Sequence, residues 1–261
     1  MRPIPKSEEL MLALQERIIH EDVSNDFELM QVLREIDKHS SALEKNHLKA
    51  LAYSLNNQIE KASEFFELSL QVKNLDYARN YLAVINQRST NTKLYNLLKR
   101  FSDEYESLIF SKLAYQSSLN MADLKKAEYF TSKLVKLSAD EDRDAYIKQF
   151  EKAKGALLTY CFMSGLNEDE LMKLANIIIA ILDGRNIRIA GINYANTSAH
   201  DSQANLYMVT TECDDVDLLA DINIELAYNL AEHEEFIGKN FSVFIGGVDN
   251  ISALKERQKW L

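Results

Sequence analysis

The stretch from Leu48 to Val72 constrains this chain more than any other. Leu48, Leu51, Ala52 and Leu55 fall three and four residues apart, and Ile59, Ala62, Phe66 and Leu70 resume a similar spacing after Asn56-Asn57. Residues so spaced share one face of a helix, so the stretch predicts two short antiparallel helices joined by a tight turn. Ala62 is small where two helix backbones come close, and Phe66 supplies a large knob one turn later. A hairpin of this size cannot bury its apolar face alone, so it requires neighbours.

The chain supplies them. Gly (7 residues) and Pro (2 residues) are scarce among 261, which favours many helices with short connections. Ser7 followed by Glu8 and Glu9 reads as the cap of a first helix, with Leu10, Leu14 and Ile18 inside. Asn25-Asp26 opens a second, with Leu29, Met30, Leu33 and Ile36 inside, and Ser40-Ser41 opens a third. After the hairpin, helical spacing resumes through Tyr77, Ala78, Tyr81, Leu82 and Ile85. It continues through Leu94, Leu97, Leu98 and Phe101, from Glu104 to Leu119 with Leu108, Ile109, Ala114 and Tyr115, through Leu124, Ala127, Phe130 and Leu134, and through Tyr146, Ile147 and Phe150 towards Leu157-Leu158. Aromatic residues at these positions are expected to pack within and between helices.

The first helices of successive pairs start near residues 41, 74, 107 and 141, a period of about 34. Tyr53, Ala62 nine residues later and Phe66 four after that occupy aromatic, small and large apolar positions. On these residues the hairpin resembles a tetratricopeptide repeat. Asn57 stands where that family often has a Gly, Ser69 where it usually has Ala, and Asn74 where it usually has Pro. The hairpin around Ala127 is a weaker copy with a turn one residue longer, and the pair over 75–102 has the period without the signature. The resemblance covers residues 1–155. It implies an array with a concave face that holds a partner protein or a peptide.

Beyond Gly155–Gly165 the pattern changes. Asn167 and three acids open an apolar helix, which Asp183-Gly184 ends. Ile187–Tyr194 and Leu206–Thr211 alternate as strands around a polar loop at 196–204. Asp214 to about Glu235 is helical, Phe241–Ile245 is a third strand, and Ile251–Leu261 is a short amphipathic tail. The expected fold is mostly α with a smaller α+β part: a helical-hairpin array over 1–155, then a small α+β sandwich over 156–261.

Charge divides the chain near the same place. Residues 1–155 carry 23 Lys and Arg against 24 Asp and Glu, whereas 156–261 carry 7 against 16. An acidic surface argues against nucleic acid as a partner. Leu171–Leu182, interrupted by Lys173 and Asn176, is too short to span a bilayer, which takes ~20 apolar residues. Met1-Arg2-Pro3 leads into a polar helix start rather than an apolar run, so no signal peptide is expected. Two cysteines make a disulfide framework unexpected, and a cytoplasmic protein with no cofactor is the reading.

Chemistry-bearing residues are sparse. Asp214, Asp217 and Asp221 are the candidate metal ligands of an alternative reading, a metal-dependent hydrolase, although acids there also suit a helix N-terminus. His200-Asp201, Glu232-His233-Glu234-Glu235, the two thiols and Gly246-Gly247 each lack the partners or spacing that catalysis or phosphate binding needs. In the tail, Lys255, Arg257 and Lys259 interleave with Leu254, Trp260 and Leu261. Either the tail folds back on the sheet, or Lys255, Arg257, Trp260 and Leu261 dock into a partner. The expectation is a soluble interaction protein, an adaptor or regulator; a homodimerisation scaffold is a further reading.

Overall fold

Four turns among the described residues share one backbone geometry; three of them join one helix to the next, and the fourth leads from a helix into a strand. A computed structural model describes residues 5–199 and 202–248. In it Asn57 adopts φ 57°, its N–H donates to the Ser54 carbonyl (3.1 Å), and the Gln58 N–H donates to Tyr53 (3.0 Å). This is a Schellman turn, in which a left-handed residue lets two otherwise orphaned helix carbonyls be satisfied. Ala122 (φ 53°) repeats it, with Ala122 N–H to Leu119 at 3.0 Å and Asp123 N–H to Ser118 at 2.9 Å. Glu21 and Asn186 are the other two, at φ 57° and 54°. The turn before Ala127 is therefore the same length as the one before Ala62, not one residue longer as the sequence suggested.

By their internal contacts the residues form two compact units, Met1–Ser89 and Thr90–Leu261. The first holds α1 (Lys6–Ile19), α2 (Asp26–His39), α3 (Ala42–Leu55), α4 (Ile59–Ser69) and α5 (Leu75–Arg88). α1 begins one residue ahead of Ser7, which is buried inside it rather than capping it. Asn25 caps α2, Asn74 caps α5, and Ser41 with Glu44 forms a reciprocal capping box on α3. α3 is central, packing on α1, α2 and α4, and α4 packs on α5. Ala62 and Phe66 are completely buried. Phe66 stacks on Tyr81 of α5 (4.7 Å between ring centroids), and His47 of α3 stacks on Tyr77 (3.8 Å). Arg88, at the end of α5, donates to Asn57 Oδ1 and to the Asp22 carbonyl, both at 2.7 Å, and so ties two of the Schellman turns together.

The second unit holds α6 (Asn91–Glu104), α7 (Leu108–Asn120), α8 (Leu124–Leu137), α9 (Asp140–Ser164) and α10 (Glu168–Asp183). It continues with β1 (Ile189–Ala199), β2 (Ser202–Thr211), α11 (Val216–Ala231) and β3 (Ser242–Gly247). The two helices of the expected pair over 75–102 thus fall in different units. α9 runs unbroken through Gly155, because Phe150 on one side of it and Leu157, Tyr160, Cys161 and Ser164 on the other are buried. It ends at Gly165, whose φ of 76° suits a residue without a side chain.

The sheet has the order β1-β2-β3, with β1 and β2 antiparallel and β2 and β3 parallel. A parallel pair needs a crossover, and α11 provides it. Tyr207, Val209 and Ile245 point from the sheet into a core with Leu157, Leu171, Leu174, Ile178, Leu182, Ile222 and Leu226. The fold is thus mostly α with a smaller α+β part, as expected, and consecutive helices pack on their neighbours. Two boundaries differ from expectation. The expected polar loop at 196–204 is largely ladder, paired from Ala195 with Leu206 to Ala199 with Ser202. α11 stops at Ala231, and a single 3-10 turn (Glu234–Phe236) follows, placing Phe236 against Phe241.

Candidate interaction surface

The α1–α2 pair displays large apolar residues that are exposed among the described residues. Leu12 and Ile19 lie seven residues apart on α1, Val23 sits in the connection, and Phe27 and Met30 are three apart on α2; all five are more than half exposed, Phe27 the most at 69%. The opposite faces are occupied: Leu14, Ile18, Leu29 and Ile36 are buried. Met30 was expected inside with them. α2 carries two apolar stripes, and α3 covers only the one through Leu29 and Ile36. The connection itself is pinned, since Ser24 N–H donates to the Leu55 carbonyl (2.8 Å) and Asn56 Nδ2 to the Ser24 carbonyl (2.9 Å).

Beneath the surface of the same unit lies a buried histidine. Asn80 Nδ2 and His47 Nε2 are hydrogen-bonded at 3.0 Å, and His47 Nδ1 has no partner among the described residues. Burial lowers its pKa to about 3, so the ring is neutral at physiological pH. It packs rather than titrates.

In the second unit a polar knot joins α6, α10 and β1. Asp183 Oδ1 accepts from the Asn91 backbone N–H (2.7 Å) and from Asn91 Nδ2 (2.8 Å), and Asp183 Oδ2 accepts from Thr92 N–H (3.1 Å). The carboxylate sits at the N-terminus of α6, where the helix dipole favours it. Asn91 Nδ2 also donates to the Ile187 carbonyl (2.8 Å), and Asn91 Oδ1 accepts from Ile189 N–H (3.0 Å). A side chain here takes the place of a neighbouring strand for the start of β1.

Tyr160, Tyr194 and Tyr207 cluster between α9 and the sheet, with centroids 4.9, 5.0 and 6.2 Å apart. The Tyr160 hydroxyl has no partner among the described residues. Burial pushes all three phenols well above their ordinary range. Burial likewise pushes the Cys161 thiol up to about 11, so it is no nucleophile at neutral pH.

The sequence-derived candidates fall as follows. Asp214 precedes α11, Asp217 lies in its first turn and Asp221 one turn on, all exposed. Among the described residues no three His, Cys, Asp or Glu side chains are arranged to hold a metal ion. Gly246-Gly247 belongs to β3, where a Cβ on Gly247 would run into the Cys213 carbonyl oxygen. His233 Nδ1 lies 3.8 Å from Glu235, which also pairs with Lys173. His200 and Asp201, and Lys255, Arg257, Trp260 and Leu261, lie outside the described residues.

No family model matches the chain. No curated protein matches its sequence, and no solved structure matches its fold. Among the described residues no helix is long and apolar enough to cross a membrane.

Proposed function

We propose that the protein is an interaction module, an adaptor or regulator whose helical pairs act as tetratricopeptide-like units and receive a partner protein or a peptide. The observation that carries the reading is the exposed set Leu12, Ile19, Val23, Phe27 and Met30, held on a braced helical pair. Monomeric proteins rarely leave apolar patches beyond a few hundred Å² uncovered. The repeat reading is supported by the shared turn geometry at Asn57 and Ala122 and by Ala62 and Ala127, both completely buried three residues into the helix that follows. Exposed large apolar side chains suit an amphipathic helix of a partner, which lays its own apolar face against them.

The test is affinity purification of the full chain from its native cell with mass spectrometry, beside a Phe27→Asp/Met30→Asp variant. A purified partner is then titrated calorimetrically against both chains. The expected result is a partner that binds the parent chain and loses at least about tenfold in affinity for the variant. The reading fails if no purified partner binds, or if the variant binds as tightly as the parent.

A further inference from the structure

α11 is apolar on two faces, and only one is used. Leu219, Ile222 and Leu226 are buried against the sheet and α10. On the outer side Val216, Ala220, Ile224 and Tyr228 follow one another at four-residue steps, the ridge spacing of a helix surface. Val216 is 76%, Ile224 56% and Tyr228 73% exposed. Ala227 and Ala231 lie beside them, also exposed. Along one flank run Asp217 and Asp221, exposed, and Glu225, which pairs with Arg185. This is an uncovered apolar strip with an acidic border.

The chain itself holds a segment of matching chemistry. Residues 249–261 follow the last described residue, Val248, and include Ile251, Leu254, Trp260 and Leu261 with Lys255, Arg257 and Lys259. Residues 156–248 hold 4 basic and 14 acidic side chains, whereas 249–261 hold 3 and 2, so the two differ in sign. The exit point is also right. Gly247 lies against the Cys213 carbonyl and within 3.3 Å of Leu219 Cδ1 for a Cβ built on it, at the N-terminal end of α11. From there α11 runs 16 residues, about 24 Å, and thirteen residues wound as a helix would extend about 20 Å.

We propose that residues 249–261 dock in cis along the outer face of α11, with the tail's apolar residues on the Val216–Tyr228 strip and its basic residues on the Asp217–Asp221 border. The other uncovered face near the exit is the outer side of the sheet, with Asn193, Leu206, Met208, Thr210 and Phe244. None of these residues is charged, so they offer no partner to Lys255, Arg257 and Lys259, and the acid that follows Thr210, Glu212, lies beside Arg188.

Trp260 is the only Trp in the chain, so its fluorescence in the full-length protein reports the tail alone. The expected result is blue-shifted emission and protection from acrylamide, both unchanged on dilution. Ile224→Asp and Tyr228→Asp change exposed side chains and leave the core intact. Each is expected to lower the docked-to-free ratio about tenfold or more, because a charge replaces an apolar contact. Asp217→Lys with Asp221→Lys is expected to act in the same direction. The proposal is overturned if Trp260 in the native chain is as accessible as in urea. It is equally overturned if the α11 variants leave its protection unchanged while Phe244→Ser removes it, or if protection is lost on dilution, which would mean docking onto a second copy.

Discussion

Removing the Asn91 side chain tests how the second unit is locked. Asn91→Ala deletes three hydrogen bonds: two to backbone groups of Ile187 and Ile189, and one to the Asp183 carboxylate. A neutral bond is worth about 1 kcal/mol net and a bond to a charged group about 1.5–3 kcal/mol. The gross loss is therefore about 3.5–5 kcal/mol. Asn91 is half-buried, and water can replace part of what is removed, so a net loss of about 2–4 kcal/mol is expected. With a urea slope of about 2 kcal/mol/M, the midpoint should fall by about 1–2 M. Amide exchange gives the local readout: the Ile189 N–H should lose protection, whereas the Asn91 and Thr92 N–H groups still reach Asp183 and should keep most of theirs. A double-mutant cycle with Asp183→Ala should return a coupling of about 1 kcal/mol or more. A loss below about 0.5 kcal/mol with unchanged Ile189 exchange would refute the reasoning.

Four further outcomes follow from the same geometry. His47 has a folded pKa of about 3 against 6.5 ordinarily, so the unfolded chain takes up a proton that the folded chain refuses. Stability should therefore fall by up to about 1.4 kcal/mol per pH unit as pH drops from 6.5 towards 3, and denaturation of His47→Phe across that window should lack this component. Gly155 is an exposed position inside α9 with open space around a would-be Cβ, so Gly155→Ala should stabilise by about 0.5–1 kcal/mol in thermal melts. Asn57→Ala puts a side chain with no local hydrogen bonding at φ 57° and removes the Arg88 acceptor, and should cost about 1–2 kcal/mol; Asn57→Gly should cost clearly less. Brief alkylation of the native protein at mildly alkaline pH should add one label, at the half-buried Cys213, leaving Cys161 unmodified by mass spectrometry until the chain is unfolded.

Much of the fold was legible in the sequence, because helix periodicity and capping act over a few residues. Asn25, Ser41, Asn74 and Asn167 accept from helix N-terminal amides as their side chains dictate. Asn57 takes the left-handed conformation that its place after Leu55 and Asn56 calls for. Gly155 weakens α9 locally, as a glycine inside a helix does, yet Phe150 and Leu157 are buried on either side of it and outweigh that weakness. The exposed face of α1–α2 was harder still. Met30 satisfies the same local spacing as Leu29, and spacing alone does not say which of two stripes a neighbour will cover.

The sequence by itself determined which segments are helices and strands, and that the pattern changes over Gly155–Gly165, since these follow from side-chain patterns within a turn or two. Tertiary structure alone decided the rest. It set the two compact units at Met1–Ser89 and Thr90–Leu261, the parallel seat of β3 beside β2, the capture of Asn91 by Asp183 across 92 residues of chain, and the bare outer strips of α2 and α11. The reason is physical. A buried face and a paired carboxylate are properties of whatever lies opposite, and what lies opposite is chosen by packing between segments far apart in the chain.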